Sequence, residues 1–298
     1  MATGIQINRS NIELPNDVSA DILQKTQEAS AVMQLARRIE LPGRGVQIPV
    51  ITGDPTASWV AETGAKPVST PSISKKVMQA HKLAVIVPFS NEFARDAARL
   101  YDALVARLPG VLAKTFDQTV FFGPTSGSLA NFDNFAGCTA QSLQSNVYQG
   151  LVAADTDIAT AGGVMNGIVL SPQGKSVLLA AVDGQYRPLF NTVAEGGISR
   201  VLGAPAYVTS AAYKEGAGSG TSQTPDFIGI AGDWSHAMYG TVEGVKIDFS
   251  SDATLTLADT STVNLFQNNM FAVRAEIEVG FVAETDYFDL LYRNHSGE

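Results

Sequence analysis

The sequence predicts an α+β chain in which an extended β-hairpin, a long helical spine, a region of short alternating elements and a long closing strand follow one another. Three observations carry that expectation. Near the C-terminus Phe271, Val273, Ala275, Ile277, Val279 and Phe281 alternate with Arg274, Glu276 and Glu278, the period of two that marks a half-buried antiparallel strand. Between Phe93 and Val120 apolar residues recur at helical spacing. Residues 125–245 are rich in Gly, Ala and Ser and carry only short strand and helix signals.

Taken in order, residues 1 to 16 show no periodicity and read as an extended arm. From Val18 to Arg38, Ile22, Ala29, Val32, Met33, Leu35 and Ala36 predict a short helix followed by a segment lying on another surface. Leu41-Pro42-Gly43-Arg44-Gly45 is a break. Val46, Ile48 and Val50 then alternate as a strand, which Pro49 confines to an edge. Gly53-Asp54-Pro55 turns the chain, and Gly64, Pro67 and Pro71 predict a projecting loop around Trp59, Glu62 and Lys66. A return strand is expected from Lys76 to Val87. An isolated hairpin is marginal in water, so this excursion needs a second surface to lie on.

Ser90 is a suitable N-cap for the spine helix. Its stripe runs through Phe93, Ala97, Leu100, Tyr101, Leu104, Val105 and Leu108, and resumes through Val111, Leu112, Thr115, Phe116, Thr119 and Val120 beyond a break or kink at Pro109-Gly110. Ile168-Val169-Leu170 reads as a buried strand, and Ser171-Pro172 as the start of a helix to about Val182 with Pro at its first position. Asp183-Gly184 is a turn, Ala206–Thr209 a short strand, and Lys214–Thr224, with Gly216, Gly218 and Gly220, a flexible surface loop.

Composition narrows the function. The chain has 298 residues, of which 45% are hydrophobic and only 16% charged, against roughly 25% charged in typical soluble domains. Depleted charge is the pattern of surfaces that meet partners. The net charge of −9 offers no basic footprint for sequence-specific nucleic-acid binding, although an acidic wall suits a container from which a duplex must not stick. The single cysteine, Cys138, excludes an intrachain disulfide and fits a reducing compartment. The N-terminus lacks the basic start and apolar run of a signal peptide, and no apolar run approaches the roughly 20 residues that span a bilayer.

Candidate catalytic features are weak. The sequence has no P-loop, dinucleotide fingerprint, G-x-S-x-G, H-E-x-x-H or C-x-x-C. Gly216-Ala217-Gly218-Ser219-Gly220 lacks the Lys-Ser/Thr and helix that a phosphate cradle requires. His81, His236 and His295 are scattered, and Cys138 has no histidine in its local context. Asp155-Thr156-Asp157 reads as a helix-end cap before it reads as a cation site. The expectation is no catalytic residue, no metal and no cofactor.

Several strings in this order resemble the major capsid proteins of tailed bacteriophages, the fold named Hong Kong ninety-seven. Ala57-Ser58-Trp59-Val60-Ala61-Glu62, then Lys66-Pro67 and Lys82-Leu83-Ala84, is similar to that family's extended loop and return strand. Ser90-Asn91-Glu92-Phe93 with Asp96 resembles the start of its spine helix. Leu170-Ser171-Pro172 through Asp183-Gly184 and Pro188-Leu189, then Leu202-Gly203 with Pro205 and Gly232-Asp233-Trp234-Ser235, resembles its axial domain. Asn269–Glu276 resembles the strand that closes its peripheral domain. The likeness covers roughly residues 17–292. Pro109-Gly110 inside the spine departs from it, and the short arm leaves no room for a large scaffolding extension.

The resemblance implies an N-terminal arm (1–45), an extended loop (46–88), a peripheral domain in two parts (89–125 and 246–298) and an axial domain (126–245) with a central sheet flanked by helices. It implies a shell subunit that assembles with itself as pentamers and hexamers in the host cytoplasm and resides in the virion. Portal, scaffold and decoration proteins and non-specifically contacted double-stranded DNA are its implied partners, with no membrane. Trp59, Glu62, Lys66, Arg274 and Glu276 are the implied inter-subunit contacts. One branch of the family joins neighbours by a lysine–asparagine isopeptide bond, and Lys66, Asn268, Asn269 and Glu276 occupy the matching segments. Lys66 sits among Gly64, Ala65 and Pro67 with nothing bulky to desolvate it, so a solvated lysine and a shell without cross-links are expected. Two alternatives stay open at this point: an encapsulin-type nanocompartment shell, and a soluble enzyme with an unadvertised site.

Overall fold

The structure is a computed structural model that describes residues 30–43, 45–53, 55–60, 62, 64–92, 106–125, 127–190, 198–218, 223–256 and 261–295. Of the helix expected from Val18, α1 (Ala31–Leu35) lies within these residues, and Ser30 caps it by accepting the Met33 N–H. β1 (Arg37–Glu40) follows. β2 (Val46–Gly53) and β3 (Ser72–Met78) form the expected hairpin, in register from Val46↔Met78 to Gly53↔Ser72. Gly45 enters it at φ 85°, where an added Cβ would lie 2.6 Å from the Met78 carbonyl oxygen. Among the described residues β2 pairs with β3 alone, so Pro49 removes no ladder bond on a second side.

The return strand expected as one run is two, because β3 stops at Met78 and β4 spans His81–Ser90. The halves have different partners, β3 the hairpin and β4 a late strand, so the chain must bend between them. Of the spine, only the second half lies within the described residues. Its described helix is α2 (Leu108–Phe122), and residues 93–105 lie outside the described residues. Pro109 sits in the first turn of α2, where its missing N–H has no intrahelical partner to lose, so of the break or kink expected at Pro109-Gly110 the described residues show a helix start.

The middle of the chain carries β5 (Thr139–Ser142), α3 (Val147–Thr160), β6 (Gly167–Leu170) and α4 (Pro172–Leu179). Asn146 and Ser171 cap the two helices through their side-chain oxygens. Asp155-Thr156-Asp157 is therefore not a helix-end cap. It lies inside α3, where Thr156 Oγ1 donates back to the Val152 carbonyl at 2.7 Å. After β7 (Arg200–Val201) and β8 (Ala204–Val208) come β9 (Asp226–Gly232), β10 (Ala237–Thr241), β11 (Lys246–Ser250), β12 (Thr254–Thr256), β13 (Thr262–Asn264), β14 (Met270–Ala283) and β15 (Phe288–Arg293).

Two sheets organise the body. β14 pairs along ten positions with β4, from Met270↔Ser90 to Val279↔His81, and also with β10 and β11, while β1 extends the sheet beyond β10. The second sheet has six strands in the order β5-β15-β9-β6-β8-β7. Sheet membership cuts across the sequence segments. β10 leaves the middle of the chain for the first sheet, and β15 leaves the C-terminal segment to lie between β5 and β9. A single 3-10 turn, Thr285–Tyr287, carries the chain from β14 in one sheet to β15 in the other.

One continuous core joins the sheets. The inward face of β14 (Phe271, Val273, Ala275, Ile277, Val279, Phe281) packs with α2 residues Leu112, Phe116 and Val120 and with Val169, Ile230 and Leu290 of the second sheet. Phe135 stacks on Phe288 at 4.4 Å, and Trp234 meets Phe288 edge-on at 5.3 Å. A Cβ at Gly232 would lie 2.1 Å from the Phe288 ring, so the ring's seat requires glycine. The far face of the six-stranded sheet is covered by Leu151, Ala154, Ile158 and Leu178 of α3 and α4. Covered on both faces, β6 is buried throughout, which is why it reads as an unbroken apolar run.

Candidate inter-subunit surface

Among the described residues the β2–β3 hairpin is seated at its root. There Met78 is fully buried with Leu41 and Val282, against which Val46 and Ile48 pack. Lys76 Nζ reaches Asp133 Oδ2 at 2.7 Å and also donates to the Ala283 carbonyl, while Asp133 accepts the Ala283 N–H at 3.1 Å. Further out, several described apolar side chains are exposed. Ile73 is 66% exposed, Val68 is 94% exposed and Trp59 is fully exposed. Glu62 and Lys66 are exposed as well. Thr56 N–H donates to Ser69 Oγ at 2.8 Å and ties the two sides of the loop together. A tryptophan held out on a tied loop is the residue type that anchors interfaces by filling a partner's pocket.

Arg274 and Glu276, the other two implied contact residues, lie on the outward face of β14. Arg274 is bound within the chain, its Nη2 donating to Asp248 Oδ2 at 2.5 Å and its Nε lying 3.5 Å from Glu276 Oε2. Asp248, and after it Glu276, hold the guanidinium above its ordinary pKa. Lys246 joins Asp248 on the same strand at 3.7 Å and Lys82 joins Glu278 across strands at 2.9 Å, so with Arg274–Asp248 this face carries both in-strand and cross-strand ion pairs. Of the isopeptide ingredients, Lys66 is exposed, Asn268 donates to the Asn264 carbonyl at 2.8 Å, and Asn269, in the left-handed region at φ 56°, accepts from the Asn91 side chain.

The most exposed of the other apolar side chains went unmarked in the sequence. Phe266 is 76% exposed on the turn before β14, Tyr186 is 86% exposed at φ 61°, and Val164 is 74% exposed beside β6. The polar run Gln267-Asn268-Asn269 next to Phe266 was the available signal that its segment turns away from the core. Tyr186 sits in a turn closed by Asp183, whose Oδ1 accepts the N–H groups of Gln185 and Arg187, each at 2.8 Å.

Reactive side chains are occupied elsewhere. Burial, with Asp289 and Asp286 nearby, pushes the Cys138 thiol up to about 12, so it stays protonated and a poor nucleophile. His81 bonds the Ala130 carbonyl, His236 stacks on Tyr287 and faces Glu284 at 3.1 Å, and His295 faces Asp226 at 2.7 Å. Gly216 N–H, from the glycine-rich loop, donates to Asp226 at 2.8 Å. Among the described residues no group of three His, Cys, Asp or Glu side chains converges on a metal-sized site, and no helix is long and apolar enough to cross a membrane.

Two packed sheets, a spine helix and a hairpin that leaves the body with its aromatic uncovered define a shell-building subunit. The model of the phage capsid family matches residues 12–286, and the chain belongs to that family. A curated protein described as "Probable major capsid protein gp17", from Mycobacterium phage L5, is 27% identical over 291 residues, covering 90% of this chain and 85% of that protein. The major capsid protein of Staphylococcus phage 80alpha is 24% identical, covering 89% and 80%. A chain from Microbacterium phage Oxtober96 superimposes with a TM-score of 0.72 at 21% identity, covering 89% of this chain and 91% of that one. A capsid chain of a native GTA particle, computed with C5 symmetry, gives 0.62 at 14% identity, covering 98% and 95%. The chain is a phage major capsid protein, a repeated structural subunit of the virion, and this sets aside the nanocompartment and enzyme alternatives.

Proposed function

We propose that this chain assembles, as pentamers and hexamers, into a closed icosahedral head that encloses double-stranded DNA, and that the hairpin supplies contacts between subunits. The observation that carries the reading is the hairpin itself, fastened at Met78 and Lys76 yet presenting a fully exposed Trp59. An apolar group of that size in water gains by burial against a neighbour. Trp59, Glu62 and Lys66 are the contacts from the loop, and Arg274 and Glu276 are the contacts from the face of β14. In this division the arm is 1–45, the extended loop 46–88, the axial domain 126–245, and the peripheral domain 89–125 with 246–298.

The role is structural, with no catalytic group. The net charge of −9 keeps the wall from binding phosphate, so DNA is contacted without specificity. Assembly takes place in the host cytoplasm, with portal, scaffold and decoration proteins as further partners. Sedimentation and negative-stain microscopy of the purified chain test the reading. Hollow closed particles of megadalton mass are expected. Species no larger than a dozen subunits at every salt and pH would overturn it.

A further inference from the structure

α1 is five residues long, too short to hold its own shape in water. Ala31, Val32 and Met33 pack it into the main core, and one carboxylate reaching from α2 holds its first turn by hydrogen bonds. Asp117 Oδ1 lies 2.5 Å from Ser30 Oγ, and Oδ2 accepts the Ala31 N–H at 2.9 Å, joining positions more than eighty residues apart. Ser30 Oγ in turn accepts the Met33 N–H at 3.1 Å. Asp117 is fully buried, between Phe116 and Val120 of the main core.

Among the described residues no cation balances that carboxylate. On α2, Lys114 is exposed. On β4, Lys82 pairs with Glu278 and His81 bonds the Ala130 carbonyl. On β14, Arg274 pairs with Asp248 and Glu276. α1 and the Ser210–Ala212 turn packed on α2 carry no charged residue. A buried carboxylate with hydrogen bonds but no countercharge is strained towards its neutral form. A separation of 2.5 Å between Asp117 Oδ1 and Ser30 Oγ accommodates the proton on either oxygen.

We propose that Asp117 is a proton-coupled latch, which in its neutral form fastens α1, and with it the entry of the N-terminal arm, to the spine helix, and which loosens that joint when it ionises. Burial, outweighing the hydrogen bonds from Ser30, Ala31 and Val32, pushes its pKa up from 3.8 to about 7. The sign follows from linkage. An acid whose pKa is higher when docked than when solvated favours the docked state fully below the solvated value. That advantage declines as pH rises and is gone above the docked value. The joint is therefore strongest below about pH 4, weakens between about pH 4 and about 7, and is constant beyond.

Hydrogen exchange by mass spectrometry on the full chain, from pH 5 to 8.5 and corrected for intrinsic exchange, reads the joint directly. For the amides of α1 the opening equilibrium is expected to rise about tenfold per pH unit up to neutrality and then to level off. Amides in the middle of α2 and in β14 should not follow. In Asp117→Asn, neutral at every pH, the α1 amides should lose the slope. A wild-type joint insensitive to pH, the same slope in the Asn variant, or a slope shared by β14 would each overturn the latch. Should Asp117→Asn fail to fold, an infrared titration of the wild-type carboxyl decides: a midpoint near 7 supports the latch, and one below 5 overturns it.

Discussion

The β2–β3 hairpin and β14 are both antiparallel ribbons rich in β-branched residues, yet they live in opposite surroundings. β14 is held by strands on both sides and by α2 against its inner face. One of its two aromatics, Phe281, is fully buried among Phe116, Phe132 and Phe135. The hairpin has one ladder, a seat at its root and an aromatic, Trp59, that touches solvent on all sides. One ribbon completes the subunit. The other, in the assembly proposed above, is completed by a neighbouring subunit. A family that builds shells from repeated subunits needs both kinds, since a subunit that satisfied all its apolar surface internally would have no reason to associate.

The sharpest test of the contrast is to truncate each aromatic. Phe281→Ala should destabilise the isolated subunit by about 3–5 kcal/mol through the cavity it leaves, visible as a lowered urea midpoint. Asp133→Ala removes the carboxylate partner of Lys76 and leaves the Ala283 N–H unpaired, and should lower stability by about 1–3 kcal/mol, with exchange rising first at the hairpin root. Trp59→Ala should leave subunit stability within about 0.5 kcal/mol while assembly, followed by light scattering, falls sharply. Normal shell yield in that variant would erase the distinction between the two ribbons. Smaller effects are expected where neither surface is touched. A short peptide inserted in the loop 214–224 should leave shells intact, because its roots are tied independently by Lys214 to Phe227 and by Gly216 to Asp226. Lys66→Ala should change nothing on a boiled reducing gel, where wild-type particles give one band near 31.4 kDa. A ladder of multimers that the variant abolishes would show a covalent shell.

Which of these surfaces could be read beforehand follows from how each is encoded. A segment with one wet and one dry face writes that fact into its own residues, so the alternation of β14, the stripe of α2 from Leu112 to Val120 and the proline-rich projection around Trp59 were all legible as residue patterns. Family likeness, carried by many short strings in order, supplied what no single string could. The contact roles of Glu62, Lys66, Arg274 and Glu276 rest on that likeness. Periodicity alone distinguishes none of them from other exposed charges.

Tertiary structure decided the remainder, because it depends on pairs of residues far apart in the chain. No local pattern says that β3 and β4 part at Met78, since the partners that separate them lie in β2 and β14. The same holds for β15, which is local to β14 in sequence and pairs instead with β5 and β9 in the other sheet. Asp117 looks like any polar residue on a helix until Ser30 and Ala31 close over it from 87 and 86 positions away. The sequence by itself determined which faces are dry, since hydrophobic periodicity is a property of neighbours along the chain. Which dry faces meet, and which buried acid is left without a cation, is a property of neighbours in space.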